Sequence, residues 1–271
     1  MKQLSGKIGL RRVGAVIGGI LAFVIAGHLG SAVASEWSET DVQVLNGTRF
    51  RDPGIHDEVT KTTITLQHVS GYAYGRNYFF IDSYWGTKNA PRANDIYGEY
   101  YHYLSLGKTT GATFGGSVLK DVSLTAGVNA GATTGGAGTR ILLYGVTLDF
   151  TVPGFSYLNV DLLAYDDRSQ FNGVQTHYRN SYQVTPVWRL PFSIGGTQWS
   201  FEGFCDFIGA RGQGTVNQTL CQPQLRFDLG QLVSGRRDAI YVGTEYQYWR
   251  NKYGIEGLNE SFPNIMMVVK F

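Results

Sequence analysis

The chain has 271 residues, with 23 Lys and Arg against 21 Asp and Glu, and 16 % of it is charged. That balance lacks the electrostatic footprint of a nucleic-acid binder, so no nucleic-acid binding is expected. The 14 % aromatic content, with 17 Tyr and 36 Gly in all, is foreign to disordered chains and to coiled coils.

At the N-terminus, Lys2, Lys7, Arg11 and Arg12 precede an apolar stretch from Val13 to Ala26, and Ala32-Val33-Ala34 offers small residues at the A-x-A spacing. Residues 1–34 therefore read as a cleaved secretory signal. An uncleaved membrane anchor is the alternative, because the apolar stretch is somewhat longer than the usual signal core. Removing four basic residues and no acidic ones leaves 19 against 21, so the expected mature chain, residues 35–271, is exported and slightly acidic.

After Ser35 no stretch approaches the ~18 consecutive apolar residues of a spanning helix. Short segments of period two take its place, the mark of half-buried strands. Thr62, Ile64 and Leu66 alternate with Thr63, Thr65 and Gln67. Val122, Leu124, Ala126, Val128 and Ala130 oppose Asp121, Ser123, Thr125, Gly127 and Asn129. Leu158, Val160, Leu162 and Ala164 oppose Asn159, Asp161 and Tyr165, and Leu225, Phe227 and Leu229 oppose Gln224, Arg226 and Asp228.

Such faces suit a soluble sandwich or a membrane barrel, and the polar rows separate the two. A sandwich would show Lys and Glu to water; these rows hold Gly, Ser, Thr, Asn, Gln and single charges, as a lumen does while the apolar rows face lipid. Aromatics gather near segment ends, at Tyr144 and Phe150, Tyr182 and Trp188, and Tyr246 and Tyr248, where interfacial girdles would lie. The chain stops at Phe271 with Val269, Met267 and Ile265 on the same side. A terminal aromatic on an alternating strand resembles the signal read by the outer-membrane barrel assembly machinery, an expected partner along with outer-membrane lipid.

The expected fold is all-β, an antiparallel transmembrane β-barrel of about twelve strands. Their centres fall near Val42, Thr65, Phe80, Tyr101, Thr125, Val146, Val160, Val184, Phe204, Leu225, Val242 and Met267. An even count returns both termini to one side, the periplasm. On that side lie Gly71 to Arg76, Pro153-Gly154 and Leu190 to Gly196. The longer Asn46 to Val59, Tyr84 to Asp95, Asp166 to His177 and Asn251 to Ser261 face outward. The connection Gly107 to Lys120 breaks the rule, being long where a short turn is expected.

The run Lys61-Thr62-Thr63-Ile64-Thr65-Leu66-Gln67-His68, with Tyr74-Gly75 and Tyr78-Phe79-Phe80-Ile81-Asp82, resembles the Tsx-like (OmpK) family of nucleoside-specific channel-forming outer-membrane proteins. Ile96-Tyr97-Gly98-Glu99, Ser105-Leu106-Gly107-Lys108, Val152-Pro153-Gly154-Phe155 and Thr185-Pro186-Val187-Trp188 extend the likeness. Phe201-Glu202-Gly203-Phe204 with Asp206, Val242-Gly243-Thr244-Glu245-Tyr246 and Asn251-Lys252-Tyr253-Gly254 complete it over nearly all of the mature chain. The resemblance implies a monomeric twelve-stranded barrel in the outer membrane of a Gram-negative bacterium, with a narrow pore for nucleosides and deoxynucleosides, and no enzyme. The alternatives are a general small-solute pore or a plugged barrel acting as a surface receptor and, less favoured, a barrel enzyme.

Parity places Tyr78, Phe80, Asp82, Tyr97, Glu99, Tyr101, Glu202, Phe204, Asp206, Glu245 and Trp249 on the inner face. Aromatics stack on any nucleobase and carboxylates accept from ribose hydroxyls, so this set forms the candidate solute path. The bland reading is that the rings fill a small barrel and that Asp82, Glu99, Glu202 and Glu245 pair with Arg179, Arg189, Arg226 or Lys270. Inner acids outnumber inner bases, which favours cations and neutral solutes over phosphates.

Other motifs are weaker. Gly107-Lys108-Thr109 lacks the earlier glycine of a phosphate loop, since His102 occupies that place. His56, His68, His102 and His177 are scattered, so neither a metal site nor a cofactor is expected. Ser181 and His177 lie close in sequence, which alone makes no barrel hydrolase. Cys205 and Cys221 are equidistant from Gln213, so a simple hairpin would set them opposite each other, bridged in an oxidising compartment or left as two free thiols.

Overall fold

The computed structural model describes residues 35–86 and 93–271; the expected signal segment, residues 1–34, lies outside them. Twelve antiparallel staves form a closed transmembrane barrel. They are β1 (Trp37–Phe50), β2 (Val59–Tyr72), β3 (Gly75–Gly86), β4 (Asp95–Ser105), β5 (Leu119–Thr133) and β6 (Ala137–Phe150), then β7 (Tyr157–Asp167), β8 (Ser181–Ile194) and β9 (Thr197–Ile208). The wall continues through β10, in two pieces (Gln218–Cys221 and Gln224–Asp228), β11 (Ile240–Arg250) and β12 (Glu260–Lys270). Each stave pairs with its neighbours in sequence, and β1 closes on β12 with Val42 opposite Val269 and Val44 opposite Met267. Closure pairs every edge, which an open sheet in lipid does not allow. All twelve expected strand centres lie in these staves.

The period-two rows settle which face is which. Ile64 (44 % exposed), Leu124 (49 %) and Ile265 (69 %) stand on the outer surface with Val44, Leu66, Leu162, Leu225 and Met267. Their polar alternates Gln43, Thr65, Thr125, Asp161, Arg226 and Asn264 are buried inside. Apolar groups cover the exterior because the hydrocarbon of a bilayer solvates no unpaired polar group.

One end of the barrel carries both termini and short turns. Tyr72 pairs with Gly75, which leaves a two-residue turn, tighter than the expected Gly71 to Arg76. β8 likewise runs on to Ile194, so the connection after it shrinks to Gly195-Gly196, with φ of 55° and 83°. The long connection that breaks the rule contains α1 (Leu106–Thr110), whose Ser105 cap accepts from the Lys108 N–H at 2.9 Å. Asp121 accepts from the Gly107 N–H at 2.9 Å, and Lys108 Nζ donates to Glu36 at 2.9 Å and to the Tyr72 carbonyl at 2.8 Å. Gly107-Lys108-Thr109 is thus a capped turn that straps this connection to the wall. A second short helix, α2 (Gly230–Ser234), lies between β10 and β11 at the same end. At the opposite end the β7–β8 connection contains a small hairpin, Gln170–Phe171 against Val174–Gln175.

β10 breaks at Gln222-Pro223, since proline has no N–H for the ladder. β9 answers with Gly203 at φ 147°, where a Cβ would meet the Gln222 carbonyl oxygen at 2.4 Å. Immediately beside the break, Cys205 pairs with Cys221 in register and the two are joined by a disulfide.

Candidate functional site

The lumen is off-centre. Inward Tyr101, Tyr103, Ile141, Leu143, Leu163 and Tyr165 pack into a buried cluster with Tyr78 and Ile208 against it, filling the side walled by β4 to β7. The open space lies opposite, beside β1 to β3 and β9 to β12. An inward side chain of a closed barrel meets solvent only through the lumen, so the partial exposure of Tyr78, Phe80, Tyr97, Glu99, Phe204 and Trp249 marks where the lumen is not filled.

At the waist this space forms a cavity of about 60 Å³, room for a few water molecules. Its lining mixes rings and amides. Tyr78, Phe80 and Tyr84 from β3 and Phe204 from β9 present rings, while Gln43, Gln67, Gln222, Gln224, Gln247 and Asn264 present amides with Glu245 among them. Asp82 also lines it, accepting from Thr65 Oγ1 at 2.5 Å and from the Tyr84 hydroxyl at 2.7 Å. Glu245 accepts from Gln224 Nε2 at 2.8 Å and from Asn264 Nδ2 at 3.3 Å.

The expected path residues are distributed unequally over this geometry. Tyr78, Phe80, Asp82, Phe204 and Glu245 meet around the cavity. Tyr97 stands next to them with its ring 6.0 Å from Phe80, and donates to Glu99 at 2.5 Å; Asn129 Nδ2 donates to the same Glu99 oxygen at 2.9 Å. Asp206 accepts from Thr185 at 2.6 Å and from Gln183 at 3.2 Å. Tyr101 belongs to the packed cluster instead. Trp249 stands towards the outer end, donating to Gln218 at 3.1 Å with Lys252 Nζ 5.1 Å from its ring. Glu202 sits towards the terminal end, between Arg226 at 2.6 Å and Arg189 at 3.2 Å.

Of the four acids weighed for pairing, then, Glu202 alone is ion-paired. Among the described residues Asp82, Glu99, Asp206 and Glu245 have hydroxyl and amide partners and no cation within 4.0 Å, so the waist keeps its carboxylates uncompensated. The bases lie at the two mouths. At the outer one, Asp52 of the β1–β2 connection sits between Lys61 at 2.6 Å and Lys252 at 3.3 Å. Lys61 also reaches Asp95 at 3.1 Å, and Lys252 reaches Glu260 at 2.7 Å. Arg211 pairs with Asp167 and donates to the Tyr253 carbonyl at 2.6 Å, tying the β9–β10 and β11–β12 connections to the end of β7.

None of the six amides of the cavity is among the expected path residues, although Gln67 and Gln224 stand in the polar rows. Their signal was parity alone: Gln43 between Val42 and Val44, and Gln222 and Gln224 on either side of Pro223. Ser181 begins β8, and the His177 carbonyl accepts from Gln213 at 3.2 Å; among the described residues no hydrogen bond joins the two.

No family model matches the sequence, and no curated relative matches it. Solved structures similar to the chain include a KdgM porin, at 9 % identity and a TM-score of 0.45 over 86 % of this chain and 99 % of that one. A NanC porin is similar at 10 % identity and a TM-score of 0.43, over 86 % and 98 %. The translocator domain of the autotransporter NalP from Neisseria meningitidis is similar at 11 % identity and a TM-score of 0.37, over 96 % and 95 %.

Proposed function

We propose that this chain is a narrow outer-membrane diffusion channel of the Tsx-like kind, passing small polar solutes with one flat apolar face, nucleosides and deoxynucleosides first among them. The carrying observation is the waist, where the rings of Tyr78, Phe80 and Phe204 line one small cavity together with Glu245 and six amides. A nucleobase stacks on rings whatever its identity, while ribose hydroxyls exchange hydrogen bonds with amides and carboxylates. Such contacts are weak singly and easily replaced by water, as a permeating solute needs. The uncompensated acids of the waist repel phosphate, which favours nucleosides over nucleotides. Because the cavity at rest holds only a few waters, a solute advances by displacing side chains and water together.

Export through a signal in residues 1–34, insertion by the barrel assembly machinery through the β12 end at Phe271, and a monomeric state belong to the same reading. Phe271 is 80 % exposed, open to such a contact. The test is swelling of liposomes that contain the purified protein, with nucleosides set against sugars of similar mass and against nucleotides. Faster entry of nucleosides is expected. Equal entry of nucleosides and sugars would replace this reading by a general pore. The small cavity and the tied mouths favour a second reading, a plugged barrel serving as a surface receptor; absence of any swelling would select it.

A further inference from the structure

The end of the lumen that carries both termini is crossed by ion pairs between staves that are not neighbours in the wall. Arg189 on β8 reaches Glu39 on β1 at 3.6 Å, Glu202 on β9 at 3.2 Å and Asp238, before β11, at 3.3 Å. Four staves separate β8 from β1 by the shorter way round. Lys270 on β12 holds Glu39 at 3.0 Å and Asp238 at 3.1 Å. On the other side, Arg76 on β3 pairs with Asp149 on β6 at 2.9 Å, its guanidinium 4.3 Å from the centre of the Tyr103 ring.

The wall does not need these chords, because backbone ladders between neighbours close it. A chord between distant staves instead occupies the bore. The partners of Arg189 differ in kind. Glu202 lies directly opposite it in the β8–β9 register and is also held by Arg226 at 2.6 Å, so that contact runs along the wall. Glu39 stands across the bore, at the longest of the three distances and with a third of its side chain exposed. A guanidinium has five donors and can keep one carboxylate while leaving another, and exposed ion pairs are the ones that salt screens.

We propose that Arg189 is the latch of a gate at this mouth. Closed, it bridges the bore to Glu39 and Asp238; open, it lies back against its own wall on Glu202, and both acids stay with Lys270. This rests on the channel reading above and adds the element that limits flow. It makes Arg189 and Glu39 determinants of permeation although neither lines the cavity at the waist.

The experiment is single-channel recording in planar bilayers with the full-length protein purified from membranes. Wild type is compared with Glu39→Gln, with Arg189→Gln and with Glu36→Gln, the last altering an exposed pair with Lys108 that does not cross the bore. The heat-dependent shift in gel mobility establishes that each variant is a closed barrel. Glu39→Gln and Arg189→Gln are expected to raise the open fraction at least twofold and to flatten its dependence on salt, with Glu36→Gln unchanged. A conducting wild type whose open fraction both variants leave unaltered would overturn the gate and leave the channel standing. Silence from all four proteins would overturn both.

Discussion

Single side chains divide here into those that set what the waist recognises and those that hold the mouths. Phe80 offers its ring to the cavity without closing it, so Phe80→Ala is expected to weaken nucleoside capture by ~1–3 kcal/mol, the worth of one base stack. Nucleoside flux measured against concentration checks this, and unchanged half-saturation would remove Phe80 from the path. Glu245→Gln keeps the shape and most hydrogen bonds of its site but removes an acid that has no cation within 4.0 Å. Its expected effect is a reduced preference for cations, read as a shift of reversal potential towards zero in a salt gradient. At the outer mouth, burial pushes the Asp52 carboxyl up, but Lys252 and Lys61 outweigh it and hold its pKa below the ordinary 3.8. A depressed carboxyl stabilises the folded loop fully above that ordinary value and loses the contribution as pH falls through the lowered one. Amide exchange in residues 51–58, corrected for intrinsic rate, is therefore expected to quicken below about pH 4. Asp52→Asn should show the quickened rate at neutral pH, a loss of about 2 kcal/mol for charged hydrogen bonds.

Among the elements, β9 and β10 form the irregular part of the wall. Pro223 interrupts the ladder, Gly203 accommodates the close approach, and Cys205–Cys221 clamps the two staves next to the gap. With its ends 16 positions apart in sequence, this disulfide constrains the unfolded chain by about 3 kcal/mol on the chain-entropy account. Cys205→Ser is expected to lower the denaturant midpoint by a corresponding amount while the barrel still forms. An unchanged midpoint would mean that the β9–β11 ladders hold this seam alone. α1 shows a different economy: a one-turn helix with a Ser105 cap and a lysine strap lets a long connection stay short in space at the end where turns are tight.

Over the whole molecule, the off-centre packing sets the bore. A twelve-stranded wall encloses more room than a single file of solute needs, and the cluster around Leu143 fills part of it. Leu143→Ala is expected to destabilise the barrel by about 2–5 kcal/mol and at the same time to raise conductance, because the lost volume opens into the lumen. Destabilisation with no gain in conductance would show that the cluster collapses instead. The axial order of charge is the other global property: paired bases at both mouths and bare acids between them. A solute crossing it meets ion-paired ends and a centre whose acids are held by hydroxyls and amides, a profile that no single residue defines.

The sequence by itself determined the wall. Period-two rows such as Val122 to Ala130 against Asp121 to Asn129 place lipid and lumen faces unambiguously, because a strand turns alternate side chains to opposite sides and a one-residue slip would expose every apolar group wrongly. For the same reason the inward position of Phe80, Glu99 or Glu245 was legible from local spacing. Which inward residues meet was not. Tyr78 and Tyr101 have the same parity, yet one borders the cavity and the other is sealed in the cluster. Glu202 and Glu245 are equally inward acids, yet one is ion-paired twice and the other bonds only amides. Contacts across the bore join staves far apart in sequence, such as Arg189 to Glu39, and the side-chain volumes of opposite walls compete for the same space. Parity fixes direction, and only closure of the barrel fixes distance.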